Sequence, residues 1–216
     1  MGARKRYFFT AGGLILLLIF LVMVARYAHR ANSSSSFENT KVKGPKGAPI
    51  QMVIYSDFQC PACRFAREPV EELVGQFPGK IQVHFRHFPI DKIHQYAFVA
   101  AKFAECAGEQ GKFWAFHDQL YKKQETWAHA PETIVFFARY AQESGLDPLT
   151  LERCLEDPKT LGQIRLERSI GAKQGVQSTP TIFLNGRPLV GPLQLKAQGK
   201  NIVLEELKKL ASKLRQ

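Results

Sequence analysis

The residues best suited to chemistry are two cysteines with two residues between them, Cys60-Pro61-Ala62-Cys63. A pair at this spacing can close a local disulfide and open it again by thiol-disulfide exchange, in which a thiolate attacks a disulfide sulfur and passes through a mixed disulfide. The run ahead of it, Ile50 to Phe58, is apolar and β-branched and predicts a buried strand. Residues 64–76 predict a helix, with Val70, Leu73, Val74 and Phe77 at helical spacing. Cys60 therefore falls where a strand ends and a helix begins. Unpaired backbone N–H groups and the positive end of the helix dipole lower a thiol pKa there, and Pro61 suits the first helical position, where its missing N–H costs nothing. Cys63, one turn inside, is expected to be the buried, resolving thiol. Two other readings stand beside this one. Half of a zinc site would need a second cysteine pair, whereas Cys106 and Cys154 stand singly. An inert structural disulfide is rarely placed between a strand end and a helix start.

The elements around the dithiol come in a clear order. Ile81 to Phe88 predicts a second strand, with Ile81, Val83, Phe85 and His87 alternating with Gln82, His84 and Arg86. Residues 92–174 show no convincing strand and predict several helices, with breaks near Gly108, Gly111, Pro131, Gly145 to Pro148 and Pro158. A strand pattern returns at Thr181 to Leu184, turns on Asn185-Gly186 and runs back through Pro188 to Val190, a strong hairpin signal. A last amphipathic helix is predicted from about Asn201 to Leu214.

The amino-terminal end differs in composition. The 216 residues carry 30 Lys and Arg against 19 Asp and Glu, a formal charge of +11. Arg4, Lys5, Arg6, Arg26 and Arg30 supply five of those charges, and no acid occurs before Glu38, so the rest of the chain carries 25 − 19 = +6. Between these basic groups, Phe8 to Ala25 is an unbroken apolar run of 18 residues. As a helix it would be about 27 Å long, close to the thickness of a bilayer core. It predicts a single transmembrane signal-anchor over 8–25, with a cytoplasmic basic tail at 1–7. A cleaved signal peptide is the competing reading, but the run is long for one and RYAHRA is a poor cleavage site. Either reading exports the remainder of the chain. Residues 26–48, with four serines in a row from Ser33 and the glycines and lysines after Lys41, read as a solvated linker to a domain at 49–216. Composition excludes a disordered, collagenous or polytopic membrane chain.

Three segments taken together, YSDFQCPAC at 55–63, QGKFWAFHDQLY at 110–121 and GVQSTPTIFLNG at 175–186, resemble the DsbA-like thiol-disulfide oxidoreductases of the thioredoxin superfamily. The resemblance implies an α/β thioredoxin-like core with a helical insertion, which agrees with the strandless middle. It implies Cys60 as nucleophile, Cys63 as resolving thiol, and a cis bond at Thr179-Pro180 facing the dithiol. Substrate contact is then expected at Thr179, Pro180, Pro61 and Ala62. No cofactor beyond the redox-active cysteine pair, and no metal, is implied. The expected partners are exported cysteine-containing proteins and a membrane redox protein that resets the pair. The expected location is the bacterial cell membrane, with the domain on the periplasmic side. A monomer is expected, and an isomerase is disfavoured because isomerases of the superfamily usually carry a separate dimerisation domain, for which 26–48 is too short.

One position departs from the wider superfamily. A carboxylate often stands six residues before the first cysteine, where it helps move the resolving thiol's proton, and here that residue is Ile54. Asp57 has a different spacing and is not assigned that role. Cys106 and Cys154 fall in the insertion and read either as a second disulfide or as two buried thiols, the even cysteine count favouring the disulfide. Phe113, Trp114, Phe116, His117, Leu120 and Tyr121 have helical spacing and read as core. His84 and His87 point to opposite faces of a strand, which argues against a shared metal. No aromatic-basic motif supports nucleic-acid binding. The functional expectation is introduction of disulfides into exported proteins. The alternatives are a reductase or isomerase, and a non-catalytic peptide-binding chaperone on the same fold.

Overall fold

The computed structural model of the chain describes residues 17–24 and 40–213. The chain divides into two units, Met1–Asn39 and Thr40–Gln216. Of the first, residues 17–24 are helical and exposed. The rest of the anchor expected over 8–25, the tail at 1–7 and the linker up to residue 39 lie outside the described residues. Among the described residues no helix is long and apolar enough to cross a membrane.

The second unit is built on a five-stranded sheet: β1 (Val42–Lys43), β2 (Ile50–Ser56), β3 (Ile81–His87), β4 (Thr181–Leu184) and β5 (Arg187–Val190), in the order β1-β3-β2-β4-β5. β2 and β3 are parallel, with Ile50 opposite Ile81 and Ser56 opposite His87. A parallel pair needs a crossover, here made by α1 (Pro61–Phe65) and α2 (Arg67–Gln76). The helix predicted over 64–76 is thus two helices that meet at Ala66. β4 runs antiparallel to β2 and to β5. Asn185 at φ 47 and Gly186 at φ 86 make the hairpin turn between β4 and β5. Pro188 is tolerated because β5 is an edge strand.

Between β3 and β4 lies the helical insertion: α3 (Ala97–Glu109), α4 (Phe113–Lys122), α5 (Gln124–Trp127), α6 (Thr133–Glu143), α7 (Pro148–Glu156) and α8 (Pro158–Lys173). Its last two helices begin at expected signals. Asp147 and Asp157 each accept a backbone N–H in the first turn, at 2.8 and 2.9 Å, and Pro148 and Pro158 follow them. The final helix, α9 (Gly191–Lys213), starts ten residues earlier than its apolar pattern suggested. Its glycine sits close under α2, since a Cβ at Gly199 would stand 3.0 Å from the Leu73 side chain.

Two large apolar clusters fill the unit, beside a small third one of Tyr55, Phe88 and Val176. One joins Ile50, Met52, Ile81, Val83 and Ile182 of the sheet to Leu73, Leu195, Ile202 and Val203 of α2 and α9. The other is the interior of the insertion, where Phe103, Phe113, Phe116, Leu120, Trp127, Phe137 and Tyr140 pack against Phe58 and Phe85. The aromatic run of α4 is core, as its spacing predicts, except that Trp114 is only half-buried.

The linker expected over 26–48 ends sooner than composition suggests, because the folded unit begins at Thr40. Val42 and Lys43 add a short strand to the open edge of β3. Gly44, at φ +100, lets the chain turn away. A Cβ there would meet the Ile81 carbonyl oxygen at 2.5 Å. Lys41, 1% exposed, inserts its ammonium between the carboxylates of Glu105 and Glu167, 2.6 Å from each. His87 Nε2 lies 2.9 Å from Glu105 Oε2, and the His87 N–H donates to Glu167 Oε2 at 2.7 Å. A lysine buried in this way ties the end of the apparent tether to the core.

Candidate active site

The chain turns sharply between β2 and α1, and Asp57 holds the turn. Its buried carboxylate accepts the backbone N–H groups of Gln59 and Ile90 at 2.8 Å each and lies 2.8 Å from His94 Nδ1. That contact raises the His94 pKa, chiefly through the hydrogen bond and against the effect of burial. Asp57 is therefore an anchor for the loop.

The insertion grips the same loop from the other side. Gln124 Nε2 donates to the carbonyls of Phe58 and Cys60 at 2.7 and 3.0 Å. Gln59 Nε2 donates to Ala128 O at 2.6 Å, and Gln59 Oε1 accepts the Tyr96 N–H at 2.7 Å. Gln59, Gln124 and His94 carry no motif of their own in the sequence, and reasoning from types and spacing missed all three.

So held, Cys60 takes the N-cap position of α1 with Pro61 directly after it, and both cysteines are free thiols. They are unequal. Cys60 is lowered to about 6, most of all by its hydrogen bond with Cys63, against burial, with help from the Thr179 hydroxyl and the Cys63 backbone N–H. Cys63 lies deeper, 2% exposed against 7%, and its thiol is pushed well up by burial and then by the neighbouring Cys60. The Asp57 N–H lies 3.5 Å from its sulfur, and behind it Ser56 Oγ and Tyr121 Oη are 2.8 Å apart. An acidic outer thiol beside a reluctant inner one is the arrangement that separates attacking and resolving roles.

Thr179 and Pro180 stand across from the dithiol. The bond between them is cis, and the Cys60 thiol donates to the Thr179 carbonyl at 3.4 Å. Thr179 Oγ1 is buried with no oxygen or nitrogen partner among the described residues. A polar groove of about 550 Å³ opens beside Pro61, lined by Gln59, Arg64, Ile93, His94, Gln95 and Gln124 among others. Ala62 lies next to Pro61 in the first turn, packed against the insertion core. Cys60, Cys63, Pro61, Ala62, Thr179 and Pro180 thus come together, although 116 residues separate Cys63 from Thr179 in the chain (179 − 63 = 116).

Cys106 and Cys154 lie apart from them. They join α3 to α7 in a disulfide, with Cα atoms 5.6 Å apart and a sequence separation of 48. His84 bonds Gln51, while His87 faces Glu105. Among the described residues no group of three or more His, Cys, Asp or Glu side chains is placed to hold a metal ion.

A strand-to-helix dithiol facing a cis-proline on this sheet defines a thioredoxin-like protein with a helical insertion. The profile of the thioredoxin family matches residues 36–203. The chain belongs to that family, in its DsbA-like branch of thiol-disulfide oxidoreductases. Among solved structures it is similar to a thioredoxin-like oxidoreductase from Silicibacter pomeroyi, at 27% identity and TM-score 0.65, covering 78% of this chain and 91% of that one. It is also similar to alpha-DsbA1 from Wolbachia pipientis, at 25% identity and TM-score 0.70, covering 81% and 94%. Among curated proteins it is 36% identical over 156 residues to the Na(+)/H(+) antiporter NhaA 3 of Salinispora tropica. That match covers 72% of this chain and only 23% of the antiporter, so the chain spans about a quarter of that relative.

Proposed function

We propose that the protein is a membrane-anchored oxidase that introduces disulfides into exported proteins, with Cys60 and Cys63 as its redox pair. The observation that carries this is the inequality of the two thiols, Cys60 lowered to about 6 at a helix start and Cys63 raised behind it. In the oxidised form, a substrate thiolate attacks the Cys60 sulfur. Cys63 leaves and takes up a proton. A second substrate thiol then attacks the substrate sulfur of the mixed disulfide, and Cys60 leaves as a thiolate. A leaving thiolate stabilised well below the ordinary thiol value favours the reduced protein and makes its disulfide oxidising. The Thr179 carbonyl beside Cys60 gives an extended substrate chain a backbone group to pair with. Electrons then pass to a membrane redox partner. The apolar run at 8–25 and the likeness to part of an antiporter support placement at a membrane, with the domain on the periplasmic side.

The test combines kinetics with equilibrium. Oxidised protein should form a disulfide in a reduced two-cysteine peptide, and Cys60→Ser should abolish turnover. Turnover that survives in Cys60→Ser would refute Cys60 as the nucleophile, and none in the unaltered chain would refute the enzyme and leave a peptide-binding chaperone. Titration of the reduced protein by thiolate absorbance should place Cys60 near 6. Equilibration with glutathione should place the potential between about −270 and −120 mV, the range from thioredoxin to the strongest oxidant of the type. A Cys60 pKa at or above about 8.5 with a potential at or below about −270 mV would assign a reductase instead. Protease added outside spheroplasts should remove the folded domain; protection until lysis would reverse the orientation.

A further inference from the structure

The position where the superfamily often has a carboxylate for the second thiol's proton is Ile54 here. The structure puts something else there. An apolar cavity of about 520 Å³ lies between α2, α4 and the sheet, and its wall includes Cys63, Ser56, Ile54, Tyr121, His117 and Asp118. From Cys63 inward, polar side chains follow one another along the wall, by hydrogen bonds as far as Tyr121 and by ring contact from there to His117. The Ser56 hydroxyl hydrogen-bonds the Cys63 sulfur, and Ser56 Oγ and Tyr121 Oη are 2.8 Å apart. The Tyr121 ring meets the His117 ring edge-on, with centroids 5.0 Å apart. His117 Nδ1 lies 2.9 Å from Asp118 Oδ1. A carboxylate at Nδ1 fixes the proton there and leaves Nε2 as the basic atom. His117 is otherwise surrounded by rings, those of Phe58, Phe85, Phe113 and Trp114.

We propose that His117, oriented by Asp118, is the proton relay of Cys63, reached through the Ser56 and Tyr121 hydroxyls and water in the cavity between them. The inference rests on the dithiol reading and deepens it. When the reduced protein resolves a mixed disulfide, the Cys63 S–H bond breaks and its proton passes along the relay to His117 Nε2. The Cys63 sulfur forms its bond to Cys60, the Cys60–substrate S–S bond breaks, and the substrate leaves as a thiolate that takes a proton from solvent. No electron acceptor beyond the substrate disulfide is needed. In the oxidising direction the same path returns a proton to Cys63 as it leaves.

Burial lowers the His117 pKa, while the hydrogen bond and charge of Asp118 raise it and Arg67 and Lys43 lower it further. The base form therefore prevails at neutral pH. The charged groups that act on it are Asp118 on α4, Arg67 from α2 and Lys43 from β1, and the other titratable groups on the cavity wall are Tyr121, Glu71 and Cys63. β3 and the loop after β2 meet it with the rings of Phe85 and Phe58.

The experiment uses the reduced full-length protein with oxidised glutathione. Formation of the Cys60–glutathione mixed disulfide and its resolution by Cys63 are followed by acid quench and mass spectrometry from pH 5 to 9. Resolution in the unaltered protein should rise as His117 loses its proton, below the ordinary histidine value. His117→Gln should lose that limb and slow resolution by about a hundredfold at pH 7, with the first step unchanged. Asp118→Asn, at a half-exposed position, should shift the limb to lower pH. The relay is overturned if His117→Gln resolves with the unaltered pH profile. If that variant does not fold, an unshifted limb in Asp118→Asn overturns it. An unaltered protein that captures no glutathione would overturn the dithiol reading and the relay together, whereas normal capture with unaltered resolution in the variants removes the relay alone.

Discussion

Replacing Lys41 by methionine keeps the length of the side chain and removes the charge. In the native protein the ammonium is 1% exposed and 2.6 Å from each of two carboxylates that are 1% and 2% exposed. Without it, Glu105 keeps His87 and Glu167 keeps Arg86 at 3.4 Å and the His87 N–H, but two carboxylates then share one buried space. Breaking a buried ion pair by removing one partner costs about 3 to 5 kcal/mol. For a domain of this size each kcal/mol lowers Tm by about 2 to 4 °C, so a fall of about 6 to 20 °C is expected. The pH dependence separates charge from packing. Burial raises the Glu105 pKa, but the hydrogen bond and charge of His87 together with Lys41 outweigh it, and the net shift is downward. A depressed carboxylate contributes stability that is present above its unfolded value, about 4.3, and lost as pH falls through the folded value. The deficit of Lys41→Met should therefore be largest at pH 7 and shrink towards pH 4, where both chains take up protons. Urea unfolding followed by the fluorescence of buried Trp127 measures it. A deficit under about 1 kcal/mol at pH 7, or an equal one at pH 4, would refute the assignment of Lys41 as the charge that closes the cluster. Protease cleavage between residues 40 and 48 should rise in the same variant.

Two other outcomes are expected. Cys154→Ala should destabilise the protein by about 4 kcal/mol, the chain-entropy value for a loop of 48 residues. Thiol tagging of the denatured, unreduced chain should label neither Cys106 nor Cys154, and labelling of both would reject the bond. His94→Gln should cost more stability at pH 5.5 than at pH 8.5. A raised histidine pKa contributes fully below the unfolded value of about 6.5 and is lost as pH rises through the folded value. An equal cost at both pH values would mean that the ring acts through packing alone.

Much of the site can be read from the chain because its parts are local or carry distinctive residues. The dithiol, the strand before it, the Asn185-Gly186 turn and the strandless middle all declare themselves by spacing and type. The features that escaped depend on distant pairs. Lys41 reads as one more tether lysine until Glu105 and Glu167, 64 and 126 residues away, close around it. The two-residue β1 is too short to show a period, and its neighbours Thr40 and Lys41 are polar. Gln59 and Gln124 are ordinary polar residues whose work is to pair with backbone that only the fold brings near. The helix break at Ala66 is marked by Pro69, which has no N–H to bond the Phe65 carbonyl and suits the first turn of a new helix. The early start of α9 did leave a sign in Gly191-Pro192, since proline fits the first turn of a helix.

The grip of the insertion on the dithiol loop bears on how such proteins can diverge. Gln124 ties the carbonyls of Phe58 and Cys60 to α5, and Gln59 ties the loop to Ala128 and Tyr96. The outer helices are thus part of the bearing on which the reactive sulfur sits. Exchanging them between family members to move substrate preference would carry the sulfur's position along, unless those glutamine contacts travelled with the graft.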